Sequence, residues 1–254
     1  MEGRQMIKVN PLGTGGAFTK YYHNNYIMEL GDRKLLVDAG TTLRSSLPAA
    51  GFNYPDITDI IITHLHADHV GGLEEFAQRC MYLHQYKPHL WIREELSEGL
   101  NNTLSSGLCT DGLSLSDYFH VHYVKDRFRL GSHYEVELLP TDNLHAKNML
   151  SMGLKLYDTQ ENINIIYTSD IGKHEEAAFD THMDENTKAL FHDISFIKTP
   201  VHSYIEDVIA YYTGKIELQA IYGMHYADDI DITETEDKYG IQIVRTNLPI
   251  VFKK

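Results

Sequence analysis

Residues 64–69 read His-Leu-His-Ala-Asp-His, a His-x-His-x-Asp-His spacing that joins a strand end to a helix start. His64 and His66 are two apart, so at the end of an extended run both side chains point the same way and can share one metal. Asp68 and His69 lie where the chain turns towards a helix, and they can reach a second metal beside the first. The run before them, Asp59-Ile60-Ile61-Ile62-Thr63, reads as a buried strand. The run after them, Val70-Gly71-Gly72-Leu73-Glu74-Glu75-Phe76-Ala77, reads as a tight turn opening a helix. Imidazole and carboxylate donors together suit Zn²⁺, with Mn²⁺ or Fe as competitors.

The chain has 254 residues, enough for one sizeable core, and no repeat, linker or low-complexity stretch divides it. A single domain over 1–254 is expected. No apolar run reaches the length of a membrane span and the N-terminus lacks a secretory apolar segment, so the expectation is a cytoplasmic protein with no membrane partner. Cys80 and Cys109 are too few for a disulfide framework and read as free thiols. Strands are expected near 6–10, 25–30, 33–38, 58–63, 88–92, 119–124, 133–139, 149–157, 162–168, 190–197, 217–222 and 241–246. Helices are expected near 41–50, 71–80, 93–106, 174–180 and 203–212. Periodicity gives an α/β fold and leaves the layering open. Ser105–Gly112, inside the segment Arg93–His120, reads as an irregular loop.

The net charge is −14. A protein that grips long nucleic acid normally shows a basic stripe, because phosphate contacts dominate its affinity. This chain has none, and no long nucleic acid is expected as a partner. Two divalent ions would add about +4 locally, enough to draw in a small phosphate ester.

The motif in this context resembles the metallo-β-lactamase superfamily. Thr63 to Gly72 fits the signature Thr-His-x-His-x-Asp-His-x-Gly-Gly. Ile7–Gly16 resembles the family's first strand and glycine turn, Leu35–Gly40 its next strand and Asp-x-Gly corner, Tyr167–Asp170 the strand that delivers a bridging aspartate, and Met224-His225 the strand that delivers the last histidine. The resemblance implies a four-layer αββα sandwich. It also implies two divalent ions, Zn²⁺ before Mn²⁺, about 3.5 Å apart. His64, His66 and His145 would hold one, Asp68, His69 and His225 the other, and Asp170 would touch both.

Phe191-His192-Asp193-Ile194-Ser195-Phe196 resembles the His-Glu-Ala-Thr segment of the tRNA 3′-processing endonucleases, with Asp193 for Glu, and His202-Ser203 resembles their short helix before the final ligand strand. That implies phosphodiester hydrolysis with Asp68 and Asp170 holding the centre and His192, paired with Asp193 or another carboxylate, as acid, with His202 beside it. The long arm those enzymes place between third ligand and bridging aspartate has no room here, where only residues 146–169 intervene. The armless layout, the Leu12–Phe18 run, His23-Asn24-Asn25-Tyr26 and the Arg93–His120 insertion resemble the phage anti-Pycsar phosphodiesterases. That resemblance implies a homodimer that opens 3′,5′-cyclic nucleotides (cCMP, cUMP, cAMP, cGMP) to 5′-monophosphates, with a lid shared between subunits. Tyr118 and Phe119, beside a glycine-containing loop, are expected to stack on the base, and Ser203 to contact substrate. The alternatives are a tRNA 3′-endonuclease, a thioester hydrolase of the glyoxalase II kind, and a nucleotide-sequestering protein that does not turn over.

Overall fold

The computed structural model describes residues 6–254. Its first half holds β1 (Ile7–Pro11), β2 (Tyr26–Leu30), β3 (Arg33–Val37), α1 (Leu43–Ala49), β4 (Asp59–Ile61), α2 (Ala67–Val70), α3 (Leu73–Gln78), β5 (His89–Arg93), α4 (Ser97–Leu108), α5 (Leu115–Tyr118) and β6 (His120–Val124). β1, β2 and β3 form an antiparallel meander; β3 to β6 then pair parallel in sequence order. Parallel neighbours need a crossover, and helices supply it.

The second half repeats the plan. β7 (Arg127–Leu130), β8 (Tyr134–Pro140), β9 (Met152–Asp158) and β10 (Ile163–Tyr167) run antiparallel. α6 (His174–Ala177), β11 (Thr187–Asp193), α7 (Ile205–Tyr212), β12 (Ile221–Met224), α8 (Ile232–Tyr239) and β13 (Gln242–Ile243) follow, their strands parallel. β14 (Ile250–Phe252) returns to pair with β1. The result is two seven-stranded sheets, ordered β14-β1-β2-β3-β4-β5-β6 and β13-β12-β11-β10-β9-β8-β7.

Side-chain parity divides the core into three apolar layers. Met28, Leu35, Val37 and Ile61 meet Leu154, Leu156, Ile165 and Tyr167 between the sheets. Their strand neighbours Ile27, Leu36 and Ile60 face the other way, against Leu43, Phe76 and Leu104 of the first helix layer. On the second sheet, Ile166, Leu190 and Ile194 face Ile205 and Val208 of α7. Burial on both faces is why Ile60-Ile61-Ile62 and Ile163–Tyr167 read as continuous apolar runs. This is the expected αββα sandwich.

Several boundaries differ from the sequence reading. α4 continues through Ser105–Leu108, expected in a loop, because Leu100, Leu104 and Leu108 recur every four residues and are all buried. The expected strand 190–197 begins at Thr187 and ends at Asp193. β7, β14, α5 and α8 were not expected. β7 has four residues, with Phe128 and Leu130 buried between exposed Arg127 and Arg129. α8 is mostly polar and buries Thr235, with Asp231 accepting from the Glu234 N–H at its start. No helix among the described residues is long and apolar enough to cross a membrane.

Candidate metal centre

Four donor residues come from the β4–α2 junction. The chain bends at Thr63 after β4, His66 keeps β conformation at the helix start, and α2 then carries Asp68 and His69 inward. The Asp38-Ala39-Gly40 corner packs directly on this segment. The Ala39 N–H donates to the His69 carbonyl at 2.6 Å, and the Gly72 N–H to the Ala39 carbonyl at 2.7 Å. A Cβ at Gly40 would lie 1.9 Å from the Asp68 carbonyl oxygen, so this contact demands glycine.

The other donors follow strand ends on the second sheet: His145 after β8, Asp170 after β10 and His225 after β12. Ser169 and His225 adopt positive φ (56° and 58°), as does Asp38 (65°). Positive φ is uncommon outside glycine, and three of the ten such residues among those described lie at this site. His145 is thereby brought beside His66, Nε2 to Nδ1 at 3.2 Å, and His66 Nδ1 lies 3.2 Å from His64 Nε2. Asp170 Oδ2 sits among four imidazoles, 3.2 Å from His225 Nε2, 3.3 Å from His69, 3.8 Å from His145 and 3.9 Å from His64. Asp68 Oδ2 lies 3.3 Å from His69 Nε2 and 3.5 Å from His225 Nε2. Donor atoms thus gather as His64, His66, His145 and Asp170, and as Asp68, His69, Asp170 and His225.

Hydrogen-bond direction says what this cluster needs. The Thr63 hydroxyl donates to Asp38 Oδ2 at 2.9 Å, so it accepts from His64 Nδ1–H at 3.1 Å. His69 Nδ1–H donates to Asp38 Oδ2 at 2.7 Å, and His145 Nδ1–H to the Val201 carbonyl at 2.8 Å. In all three rings Nε2 is therefore a lone pair aimed at a carboxylate. Asp170 Oδ1 is buried with no hydrogen-bond partner. Acceptors facing acceptors in a dry site call for cations, and the imidazole–carboxylate set fits divalent metal. With no cation at the centre, a proton takes that place on His69. Burial disfavours the His69 imidazolium, yet the Asp170 and Asp38 carboxylates lift it well above the ordinary histidine range. Burial would raise Asp170, but His225 and His69 hold it well below the ordinary carboxylate range.

Asp193 and His202 adjoin this centre. Asp193 Oδ2 accepts from His202 Nδ1–H at 2.8 Å and from the Ile171 N–H at 2.9 Å. His202 stacks on His225 with ring centroids 4.7 Å apart and lies 5.3 Å from His145. Burial lowers its imidazolium, but the Asp193 carboxylate overrides that and lifts it to about 9.

His192 is placed elsewhere, which corrects its expected role as acid. On β11 it shares parity with Leu190 and Ile194 and faces the helix layer, with His174 and Tyr212 as neighbours at 5.6 and 5.4 Å. It is fully buried, and burial with His174 lowers it to about 3. Its Nδ1–H donates to the Asp193 carbonyl at 2.6 Å, so its contribution is to hold the strand end that bears Asp193.

Three substrate-contact expectations are also corrected. Tyr118 and Phe119 are 1% and 0% exposed, packed in the helix-side core with Leu104 and Leu108, and offer no ring face to a base. Ser203 is buried; its hydroxyl donates to the Ile171 carbonyl at 2.7 Å and lies 3.1 Å from His174 Nδ1. Arg93 is likewise structural, with its guanidinium paired through both NH groups to Asp142 at 2.7 Å. Sequence reading missed Asp38 as a site residue and paired Asp193 with His192, whereas its carboxylate holds His202. The Asp-x-Gly corner was the signal for the first, and strand parity along 189–194 for the second.

The family described as "Anti-Pycsar protein Apyc1" matches residues 7–247. A protein of that name from Paenibacillus sp. (strain J14) is 34% identical over 232 residues, covering 89% of this chain and 91% of its own. One from Bacillus phage 010DV004 is 31% identical over 246 residues, covering 90% and 92%. Among solved structures, a diphosphatase of the PhnP family superposes with a TM-score of 0.78 at 16% identity, covering 98% of both chains. The human tRNase Z short form superposes at 0.67 and 16%, covering 96% and 98%. At such identities these two speak for the fold alone.

Proposed function

Because the chain belongs to the Anti-Pycsar protein Apyc1 family, we propose that it is a metal-dependent phosphodiesterase that opens 3′,5′-cyclic nucleotides to 5′-monophosphates. The observation that carries this reading is the two donor sets sharing Asp170, with the Asp193–His202 pair beside them. When bound, two divalent ions polarise phosphoryl oxygens and lower the pKa of a water, which supplies the nucleophile. His64, His66 and His145 would hold one ion, and Asp68, His69 and His225 the other, with Asp170 between them.

The remaining work falls to this chain's own groups. Water oxygen bonds to phosphorus as the bond to O3′ breaks, and the departing oxygen needs a proton. His202 adjoins the centre, is a quarter exposed and has its imidazolium favoured by the Asp193 carboxylate against the opposing effect of burial, so it can donate that proton. Asp193 orients the ring through Nδ1 and stabilises its charge. Asp38 and Val201 fix the tautomers of His69 and His145. The turn, β9 and β10 that fill residues 146–169 leave no segment to grip a tRNA, and the net charge of −14 favours a small anion.

In this reading the enzyme acts in the cytoplasm of an infected or signalling bacterium, as a homodimer, against cyclic nucleotides that signal immunity. The test is a panel of cCMP, cUMP, cAMP, cGMP and a 3′-extended pre-tRNA, after chelation and after adding back Zn²⁺ or Mn²⁺. The expected result is metal-dependent appearance of 5′-monophosphates, identified by mass, with the pre-tRNA uncut. Tight binding without product would make the chain a nucleotide sponge, and cleavage of pre-tRNA alone would make it a processing nuclease. Light scattering would settle the subunit count.

A further inference from the structure

The loop between β1 and β2 overhangs the metal centre. Gly16 and Thr19 close a turn, Thr19 N–H to Gly16 carbonyl at 3.1 Å. A Cβ on Gly16 would lie 2.8 Å from His225 Cε1, so the turn begins in contact with a metal-centre imidazole. It is tied down from behind. The Thr19 hydroxyl bonds the Asp228 carboxylate, the Lys20 N–H donates to the same carboxylate at 2.7 Å, and the Tyr21 N–H donates to the Thr19 hydroxyl at 3.1 Å. Asp228 lies three residues after His225, so one short segment carries both the histidine and the anchor of the turn.

At the tip of this anchored turn stands Phe18, 100% exposed. The turn is held by four hydrogen bonds, so the ring is presented from a fixed backbone two residues beyond the contact with His225. The segment leading to His202 carries a second exposed apolar side chain, Ile197, at 71% exposure. The donors of the centre are polar and mostly buried, and the turn that bears Phe18 touches one of them through Gly16. A phosphate seated on the donors would leave its attached heterocycle to be met by groups on the segments around them.

We propose that Phe18 is the platform on which the nucleobase of the substrate stacks. The proposal rests on the cyclic-nucleotide reading above and adds how the base is held. Stacking suits a site that accepts several bases, because every base has a π-face, whereas hydrogen bonds to base edges would discriminate. A rigid turn also lowers the entropy lost when ring and base meet. The platform first expected at Tyr118 and Phe119 is thus found at the opposite end of the first sheet's chain, in the glycine turn.

The experiment uses the metal-loaded protein and two kinds of substrate: the four cyclic nucleotides, and 1-O-methylribose 3′,5′-cyclic phosphate, which has the same ring phosphate and no base. Phe18→Ala should lower kcat/KM for every cyclic nucleotide by roughly 5- to 100-fold, mainly through KM, and leave the base-free ester unchanged. Phe18→Trp should restore the nucleotides, and its added indole fluorescence should be quenched by cyclic nucleotides but not by the base-free ester. Equal loss on both substrates would show that the turn only positions His225. No loss on any nucleotide would overturn the platform, as would conversion to a monomer that tryptophan does not rescue, which would make Phe18 a contact with a second copy. The wild type's own turnover tests the function reading separately; if it cleaves no cyclic nucleotide, both readings fall.

Discussion

Replacing Asp38 by Asn changes one atom and should disarm half of the metal centre. Asp38 is fully buried and accepts three hydrogen bonds, from the Thr63 N–H at 2.7 Å, the Thr63 hydroxyl at 2.9 Å and His69 Nδ1–H at 2.7 Å. An asparagine has one acceptor oxygen and one NH₂. If the oxygen stays on the Thr63 N–H, the NH₂ faces His69 Nδ1. That nitrogen must then become a lone pair and its proton moves to Nε2, the nitrogen that faces the metal. If the amide turns round, NH₂ meets the Thr63 N–H, donor against donor in a dry site, at about 1–3 kcal/mol. Neither arrangement is neutral. Partners of this kind typically account for 10–100-fold in metal affinity, which is about 1.4–2.7 kcal/mol, the same size as the clash. Asp38→Asn should therefore fold, keep the His64–His66–His145 ion, and bind the Asp68–His69–His225 ion roughly 10–100-fold more weakly. Titrating the apoprotein with Zn²⁺ under a competing chelator, with bound metal counted by elemental analysis, measures this. Two equally tight ions in the variant would refute the tautomer argument.

His202→Ala should lower kcat on a cyclic nucleotide by roughly 10²–10⁴, while an aryl phosphodiester, whose leaving group needs no proton, changes far less. His202 is raised by Asp193, so its proton is present below its pKa and lost as pH rises through it; Asp193→Asn should move the alkaline limb of the rate profile to lower pH, and an unmoved limb would exclude the pair. His192 has the opposite sign. Its folded pKa of about 3 lies below the ordinary 6.5, so its contribution to stability is complete above 6.5 and declines as pH falls from there. Urea melts between pH 7 and 5 should show that decline, His192→Gln should flatten it, and metal content should not change. Arg93→Met, which breaks the half-buried fork to Asp142 three residues before His145, should cost about 1–3 kcal/mol in the same melts, and no measurable cost would show the fork is idle.

The layered fold and most of the donor set were legible because the signature and the strand ends are local. His64, His66, Asp68 and His69 are fixed by spacing on one junction, and β-parity does the rest. His192 was misplaced because parity along β11 tells that residues 190, 192 and 194 share a face but not which face looks at the metal. Packing against α7 decides that. Tyr118 and Phe119 were misread for a similar reason. An aromatic pair after a polar loop can cap a cleft or close a core, and here Leu100, Leu104 and Leu108 extend α4 so that the pair closes the core. Asp38 was seen as a corner and not as a partner of His69, because they are 31 residues apart and only the β3–β4 pairing unites them.

The apolar layer between the two sheets is built from aliphatic, aromatic and methionine side chains, and every donor of the metal centre lies instead on a segment that follows a strand. Neither sheet waits for an ion in order to close. The layers that carry the centre draw on apolar burial alone, while the centre itself gathers buried acceptors that only cations satisfy. The frame and its load thus answer to different forces, and a change in metal supply acts on the donor segments at the strand ends before it acts on the sheets.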